Sequence, residues 1–269
     1  MDKVKKYVRK VIKILSLKEL QILPAYLSYN FVLALIPILT IIVIVAGWFS
    51  VSIDSIIELI EDILPSYASN VVVPAISGKE FDFSVGFLNL ITFVLASNGT
   101  YAIVTASNSL YKVEKSSQIK DRIKSVVILL IIIGLLLFLV LVPMFGERIL
   151  ELLNDYKLLS NILDKITLIY KIVKWPITFL VIFFNIKLIY IVAPSIKVNK
   201  DETTIGAFVT TVIWMIFTAI FGYYIKFFAR YDLIYGSLSS ITILLIWLYA
   251  LSFILILGIV INTTKYNKE

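Results

Sequence analysis

The sequence predicts an all-α fold: a polytopic membrane bundle of six transmembrane helices, with an N-terminal amphipathic helix and outer interfacial helices. Two observations predict it. Sixty per cent of the 269 residues are apolar and only 16% are charged, against roughly 45–50% and about 25% in a soluble domain. The apolar residues also fall in continuous runs. Val126–Ile133 is apolar at every position, whereas the strands of a closed membrane barrel would alternate.

A helix that crosses a bilayer takes about 20 mostly apolar residues. Six runs have that length: 24–49, 84–107, 125–145, 172–193, 204–228 and 236–262. Together they make one membrane domain over 21–264, preceded by a basic arm (1–20) and followed by a short tail (265–269). In the arm, Val4, Val8, Val11, Ile12 and Leu15 share one helical face, with Lys5, Lys6, Arg9 and Lys13 off it. That pattern suits a helix lying on anionic lipid headgroups. A solvated arm that only sets topology fits it as well. The arm is too charged to be the apolar core of a cleaved leader.

Two of the connecting loops read as helical. In the first, Ile53, Ile56, Ile57, Ile60 and Leu64 recur at spacings of three and four, and Pro65 ends the pattern. In the third, residues from Ile149 to Ile169 form apolar stripes. Both belong at the outer interface, packed on the top of the bundle or capping a cavity.

Lysine and arginine placement gives the orientation. Seventeen of the 25 lie in the arm, the second and fourth loops and the tail, or at their margins. The first loop has only Lys79 among six acids. Both termini are therefore expected in the cytoplasm. The net charge of +7 is a topology signal. It forms no basic groove interleaved with aromatics, so nucleic acid is not an expected partner.

The chain has no cysteine and no histidine. That removes disulfides, thiolate nucleophiles, histidine relays and the usual zinc sites. No acidic cluster for magnesium stands in the apolar regions. The expectation is a protein that is not an enzyme and carries no cofactor and no metal. Span centres also lack ionisable groups, which argues against a pump built on central carboxylates.

Neutral polar residues are present inside the spans. Asn30 lies in the first, Ser97, Asn98, Gly99 and Thr100 in the second, Asn185 in the fourth, and Asn262 ends the sixth. They either bond across helices, at roughly 0.6–2 kcal/mol each, or line a polar track. Pro37 removes a donor in mid-span, so a kink is expected there. Ser97–Thr100 is a candidate for local unwinding, the device by which transporters expose backbone to a substrate. Gly236 permits a tight turn at the entry to the sixth span, and Tyr235 suits the interface belt. Trp247 and Tyr249 lie deeper, against neighbouring helices or a cavity.

Several of these runs form a recognisable set. Leu233-Ile234-Tyr235-Gly236-Ser237-Leu238, then Leu244–Tyr249 and Leu257-Gly258, resemble the YihY/BrkB family of bacterial inner-membrane proteins. Ala25-Tyr26-Leu27-Ser28-Tyr29 through Leu35-Ile36-Pro37 is similar to its first-span motif. Asn108-Ser109-Leu110-Tyr111-Lys112 is similar to its Asn-Thr-Ile-Trp-Arg element, and Ala193-Pro194 and Gly206-Ala207-Phe208 fit its fifth-span entry. One departure stands out: where the family commonly has Gly-Ala-Glu, this chain has Gly258-Ile259-Val260. The resemblance implies six spans, cytoplasmic termini, the bacterial inner membrane, and a transporter or exporter. Some members were once labelled ribonuclease BN.

The combined expectation is a transporter, exporter or lipid-handling protein moving a neutral or amphipathic solute. Its candidate pathway residues are Asn30, Pro37, Ser97, Asn98, Gly99, Tyr235, Gly236, Trp247, Tyr249 and Asn262. Its partners are the bilayer, anionic headgroups at the cytoplasmic face, and an unidentified solute or lipid. A homo-oligomer stays open. The alternative is a non-transporting membrane scaffold, and a membrane-bound hydrolase or ribonuclease comes last.

Overall fold

The computed structural model describes residues 18–48, 52–63, 66–76, 86–154 and 160–266. The basic arm, with Lys5, Lys6, Arg9 and Lys13, lies outside the described residues. Among those described, the structure is helical with no strand. In chain order the helices are α1 (Lys18–Trp48), α2 (Ile53–Ile63), α3 (Ser66–Ile76), α4 (Gly86–Leu110), α5 (Gln118–Asn154), α6 (Ser160–Val192), α7 (Glu202–Phe227), α8 (Tyr231–Tyr235) and α9 (Ser239–Tyr266). A 3₁₀ turn, Gly236–Leu238, joins the last two.

The six long helices fall on the six apolar runs. Three stretches among the described residues are long and apolar enough to cross a membrane: Gln21–Val45, Glu202–Phe227 and Tyr231–Thr264. Pro176–Val192 is apolar but shorter.

Neighbours in sequence are neighbours in space. Contacts run α1–α4, α4–α5, α5–α6, α6–α7, α7–α9 and α9–α1, which closes a ring. At the end that carries the basic loops, a core cluster fills the ring. It takes Leu27 from α1, Ala102 from α4, Ile128 from α5, Tyr190 from α6, Ala207 from α7 and Ile256 from α9. Helix α9 is the most enclosed: 61% of its apolar window is buried, against 28% in α1 and in α7.

Small residues make this enclosure possible. A Cβ at Gly258 would fall on Thr210 Oγ1 and Tyr190 Oη, and one at Gly206 would fall on Asn262 Oδ1 and the Gly258 carbonyl. At the α1–α4 crossing, a Cβ on Gly99 would lie 2.8 Å from Ala34 Cβ. In lipid, helices gain little from the hydrophobic effect and associate through close packing and hydrogen bonds. Tyr190 supplies both. Its hydroxyl donates to the Leu255 carbonyl of α9 (2.8 Å) and lies 2.8 Å from Thr210 Oγ1 of α7.

The outer elements sit on the bundle. Ile56 of α2 is buried in a cluster with Leu39, Ile42 and Val43 of α1 and Val72 of α3. Ala68 of α3 is buried in one with Phe221, Leu244 and Trp247. The helix expected over 53–64 is α2, ending before Pro65. Helix α3, which includes Pro74, was not legible from periodicity. The stripes expected in the third loop belong to the ends of the long helices, since α5 runs on to Asn154 and α6 begins at Ser160.

Helix α1 stays helical through both Pro24 and Pro37, so a bend at Pro37 is one within an unbroken helix. One expectation about irregular backbone is corrected. Helix α4 carries through Ser97–Thr100, because Ser97 Oγ donates to the Val94 carbonyl (2.8 Å) and Thr100 Oγ1 lies 2.9 Å from the Ser97 carbonyl. The Ser97 hydroxyl is thus satisfied within the helix, and that of Thr100 within it or at the Ser125 carbonyl of α5.

Gly258→Ala should therefore cost about 3 kcal/mol by overpacking. Gly222→Ala, where a Cβ meets open space, should be neutral or slightly stabilising. Thermal melts of the detergent-solubilised variants check the pair, and equal melting temperatures would contradict the packing argument.

Candidate functional site

The polar chemistry gathers at the basic end, where α4, α5 and the α6–α7 connection meet. Helix α4 ends in a Schellman turn. Val113 N–H bonds the Asn108 carbonyl (2.9 Å), Lys112 N–H bonds the Ser109 carbonyl (3.1 Å), and Lys112 takes φ +54°. That geometry normally selects glycine. The turn sends the chain straight into α5 and sets Asp121 opposite Asn108.

Asp121 is buried, at 6% exposure, and engaged at both carboxylate oxygens. Ser195 Oγ donates to one carboxylate oxygen (2.5 Å) and Asn108 Nδ2 to the other (3.2 Å). Asn108 turns its own carbonyl to the Ser195 N–H (2.7 Å). Lys124 Nζ donates to the Pro194 carbonyl (2.6 Å) and to Ser195 Oγ (3.1 Å). Asn108 Nδ2 also reaches Ser195 Oγ (3.2 Å), so that hydroxyl uses its one donor and both acceptor sites. Burial pushes the Asp121 carboxyl up. Hydrogen bonds from Ser195, Ser116 and Asn108, with the Lys124 charge nearby, outweigh it and hold the group below the ordinary aspartate value of 3.8.

Beside this knot a polar cleft of about 610 Å³ opens, lined by Tyr101, Thr105, Glu114, Lys115, Gln118 and Asp121 among others. Arg122 meets one of these lining residues, Tyr101. Its Nη1 donates to Asn98 Oδ1 (2.8 Å), its Nη2 lies 3.4 Å from the Val94 carbonyl, and its Cζ stands 5.5 Å from the centre of the Tyr101 ring.

The ten residues singled out from sequence do not form one lining. Ser97, Asn98 and Gly99 point three ways: Ser97 into the core, Gly99 against α1, and Asn98 to the flank where Arg122 meets it. Asn30 donates to its own helix at the Tyr26 carbonyl (2.8 Å). Pro37 sits within α1. Trp247 is buried, with Nε1 3.4 Å from Thr218 Oγ1, while Tyr249 is 42% exposed on the outside of the bundle. Tyr235 is exposed and stacks on Tyr231. Gly236 holds φ +51° as the cap of α8. Asn262 is buried and accepts from the Gly206 N–H (3.1 Å). Sequence reasoning missed Asp121, Arg122, Lys124 and Ser195 as a site. The available signal was a lone acid, Asp121, among Lys120, Arg122 and Lys124 in a loop otherwise read for its positive charge.

Asp121→Ala should cost about 2–3 kcal/mol, since it strands the donors that Asn108 and Ser195 aim at the carboxylate and removes the charge facing Lys124. With its carboxyl pKa depressed in the fold, Asp121 contributes stability above the unfolded value of 3.8. That contribution is lost as pH falls from about 4 through the lower folded value. Asp121→Asn should flatten this acid limb in melts taken from pH 7 to pH 3. An unchanged limb would place the acid sensitivity elsewhere.

Comparison with known proteins gives a consistent family. Residues 11–269 match the family model described as Virulence factor BrkB. The chain is 30% identical over 261 residues to the ribonuclease-like protein YfkH of Bacillus subtilis (strain 168), covering 94% of this chain and 93% of that one. It is 36% identical over 120 residues to a UPF0761 membrane protein of Coxiella burnetii (strain Dugway 5J108-111), which covers 41% of this chain and 43% of the relative. A UPF0761 membrane protein of Vibrio campbellii (strain ATCC BAA-1116) is 24% identical over 248 residues, 91% of this chain and 77% of that one. No solved structure matches. On its sequence, its helical architecture and a match over nearly its whole length, this chain belongs to the BrkB family of membrane proteins.

Proposed function

We propose that this chain is a six-span protein of the bacterial inner membrane that handles an amphipathic, lipid-like solute along its flank. In this reading the basic end faces the cytoplasm, and no covalent chemistry is performed. One observation carries it. Along α4, Ile91, Val94, Asn98, Tyr101, Thr105 and Asn108 recur at spacings of three and four and so form one stripe. Its first two members are apolar and exposed. Its last three line the polar cleft. The stripe thus grades from acyl-chain chemistry to headgroup chemistry over one helix face.

The filled ring supports a lateral route over a central one. The core cluster at the basic end takes residues from all six long helices, and the hydroxyls of Ser28, Ser97 and Thr211 bond back to their own helices. The same packing favours the second reading, a non-transporting scaffold that presents its basic end to a partner. The catalytic reading borrowed from a ribonuclease-like relative has less support. The chain offers no histidine or cysteine, and Asp121, the buried acid at the cleft, is already engaged by Ser195 and Asn108.

The test is reconstitution of the full chain in liposomes that carry a headgroup-labelled fluorescent phospholipid, quenched from outside with dithionite. The expected result is quenching of the inner-leaflet label well above the protein-free rate. Movement at the protein-free rate, with the protein shown to be folded and inserted, would favour the scaffold.

A further inference from the structure

Arg122 points the unexpected way. Side chains on a helix tilt toward its N-terminus, and for α5 that is the basic end. Basic residues near a span's end also ordinarily reach outward to the headgroups. The register of α4 against α5 is set by two contacts, Asn108 with Asp121 and Thr100 Oγ1 with the Ser125 carbonyl (2.7 Å). Arg122 lies between these levels, yet its guanidinium reaches Asn98 and Val94, beyond Thr100. It is turned toward the apolar zone, along a flank where Ile91, Val94, Ile123, Val127 and Leu130 are exposed.

Two of its five N–H donors meet protein acceptors there, and those acceptors are neutral. A cation in that setting is complementary to an anion drawn inward from the membrane boundary, and the anion that the bilayer supplies there is a lipid phosphate. Tyr101 connects the guanidinium to the cleft, since its ring lies beside Arg122 and also lines the cavity. The cleft contains Glu114 as well as Lys115. Glu114 is exposed, which leaves it available to a cation. A phosphate drawn past Tyr101 toward Arg122 directs a positive headgroup group back into the cleft, on the side of Glu114.

We propose that Arg122, Tyr101 and Glu114 form a binding site for an amine-bearing phospholipid. The phosphate sits on Arg122, the ammonium in the cleft at Glu114, and an acyl chain lies along Ile91, Val94 and Val127. This rests on the lipid-handling reading above and names its substrate class.

The experiment is native mass spectrometry of the full chain released from micelles holding equal amounts of phosphatidylethanolamine, phosphatidylglycerol and phosphatidylcholine. The wild type should retain phosphatidylethanolamine preferentially. Arg122→Gln should lower retention about tenfold, the effect of losing a charge-assisted contact. Arg122→Lys should restore part of it. Glu114→Gln, an exposed change that spares the bundle, should shift preference toward phosphatidylglycerol. Retention unchanged in both Arg122→Gln and Glu114→Gln overturns the site. So does displacement by glycerophosphoethanolamine or inorganic phosphate at the same concentration as lipid, which would assign the cleft to a soluble ligand. If Arg122→Gln still moves lipid in liposomes and still retains it, the site is wrong and the lipid-handling reading stands. If the wild type neither moves nor retains lipid, both fall.

Discussion

The approach of α7 to α9 is the contact on which the rest of the bundle depends. A helix in lipid satisfies its own backbone, so nothing in the backbone forces two helices together. What draws these two together is the absence of side chains at Gly206 and Gly258 and the Tyr190 hydroxyl placed against the Leu255 carbonyl and Thr210. Trp214 repeats the device one turn away, its Nε1 donating to the Leu251 carbonyl (2.9 Å). Two aromatic donors bonded to carbonyls of α9 fix both its depth and its rotation. Once α9 is seated, α1, α4 and α7 share its surface, and its contacts with α7 and α1 close the ring.

That closure brings the polar knot into being. Asn108, Asp121 and Ser195 come from three separate stretches of chain, and each has few routes to satisfaction alone. The Schellman turn at Lys112 places Asp121 against Asn108, while the exit of α6 at Val192 places Ser195 over both. The knot stiffens the wall of the cleft next to it. A carboxylate with two side-chain donors and a nearby lysine is held in one orientation, and this keeps the cleft's polar surface preorganised.

The helices were legible because hydropathy over 20 residues is a one-dimensional property. Their faces were not. Consecutive residues on a helix differ by about 100°, so Ser97, Asn98 and Gly99 looked like one polar patch and became a core hydroxyl, a flank acceptor and a packing glycine. Helix α3 carries Pro74 and the small polar residues Ser66, Ser69 and Asn70, which break up any apolar repeat of three and four, although Ala68 and Val72 are completely buried. The Asp121–Ser195 bond joins residues 74 positions apart, and no spacing rule reaches that far. The family motifs came nearer: Asn108 and Pro194 both lie in stretches noted for resemblance, and both turned out to be partners in the knot.

A route along the flank also fits the energetics of this bundle better than one through its middle. A central route would have to part α9 from α7 and break the bonds of Tyr190 and Trp214, leaving donors unmet in an apolar core at a cost of several kilocalories per mole. The flank asks for no such opening. On the route proposed above, a headgroup would exchange water for the cleft's hydroxyls and charges, and its acyl chains would stay in a hydrocarbon surrounding. The main barrier on such a route would be carrying phosphate past the apolar zone, toward which the guanidinium of Arg122 is turned. A basic group bonded to Asn98 would lower the cost of the first step inward without creating a deep well, because its protein partners are neutral and it is only partly buried. Weak binding at the threshold is what a handling site requires, since a lipid held too tightly would not move on.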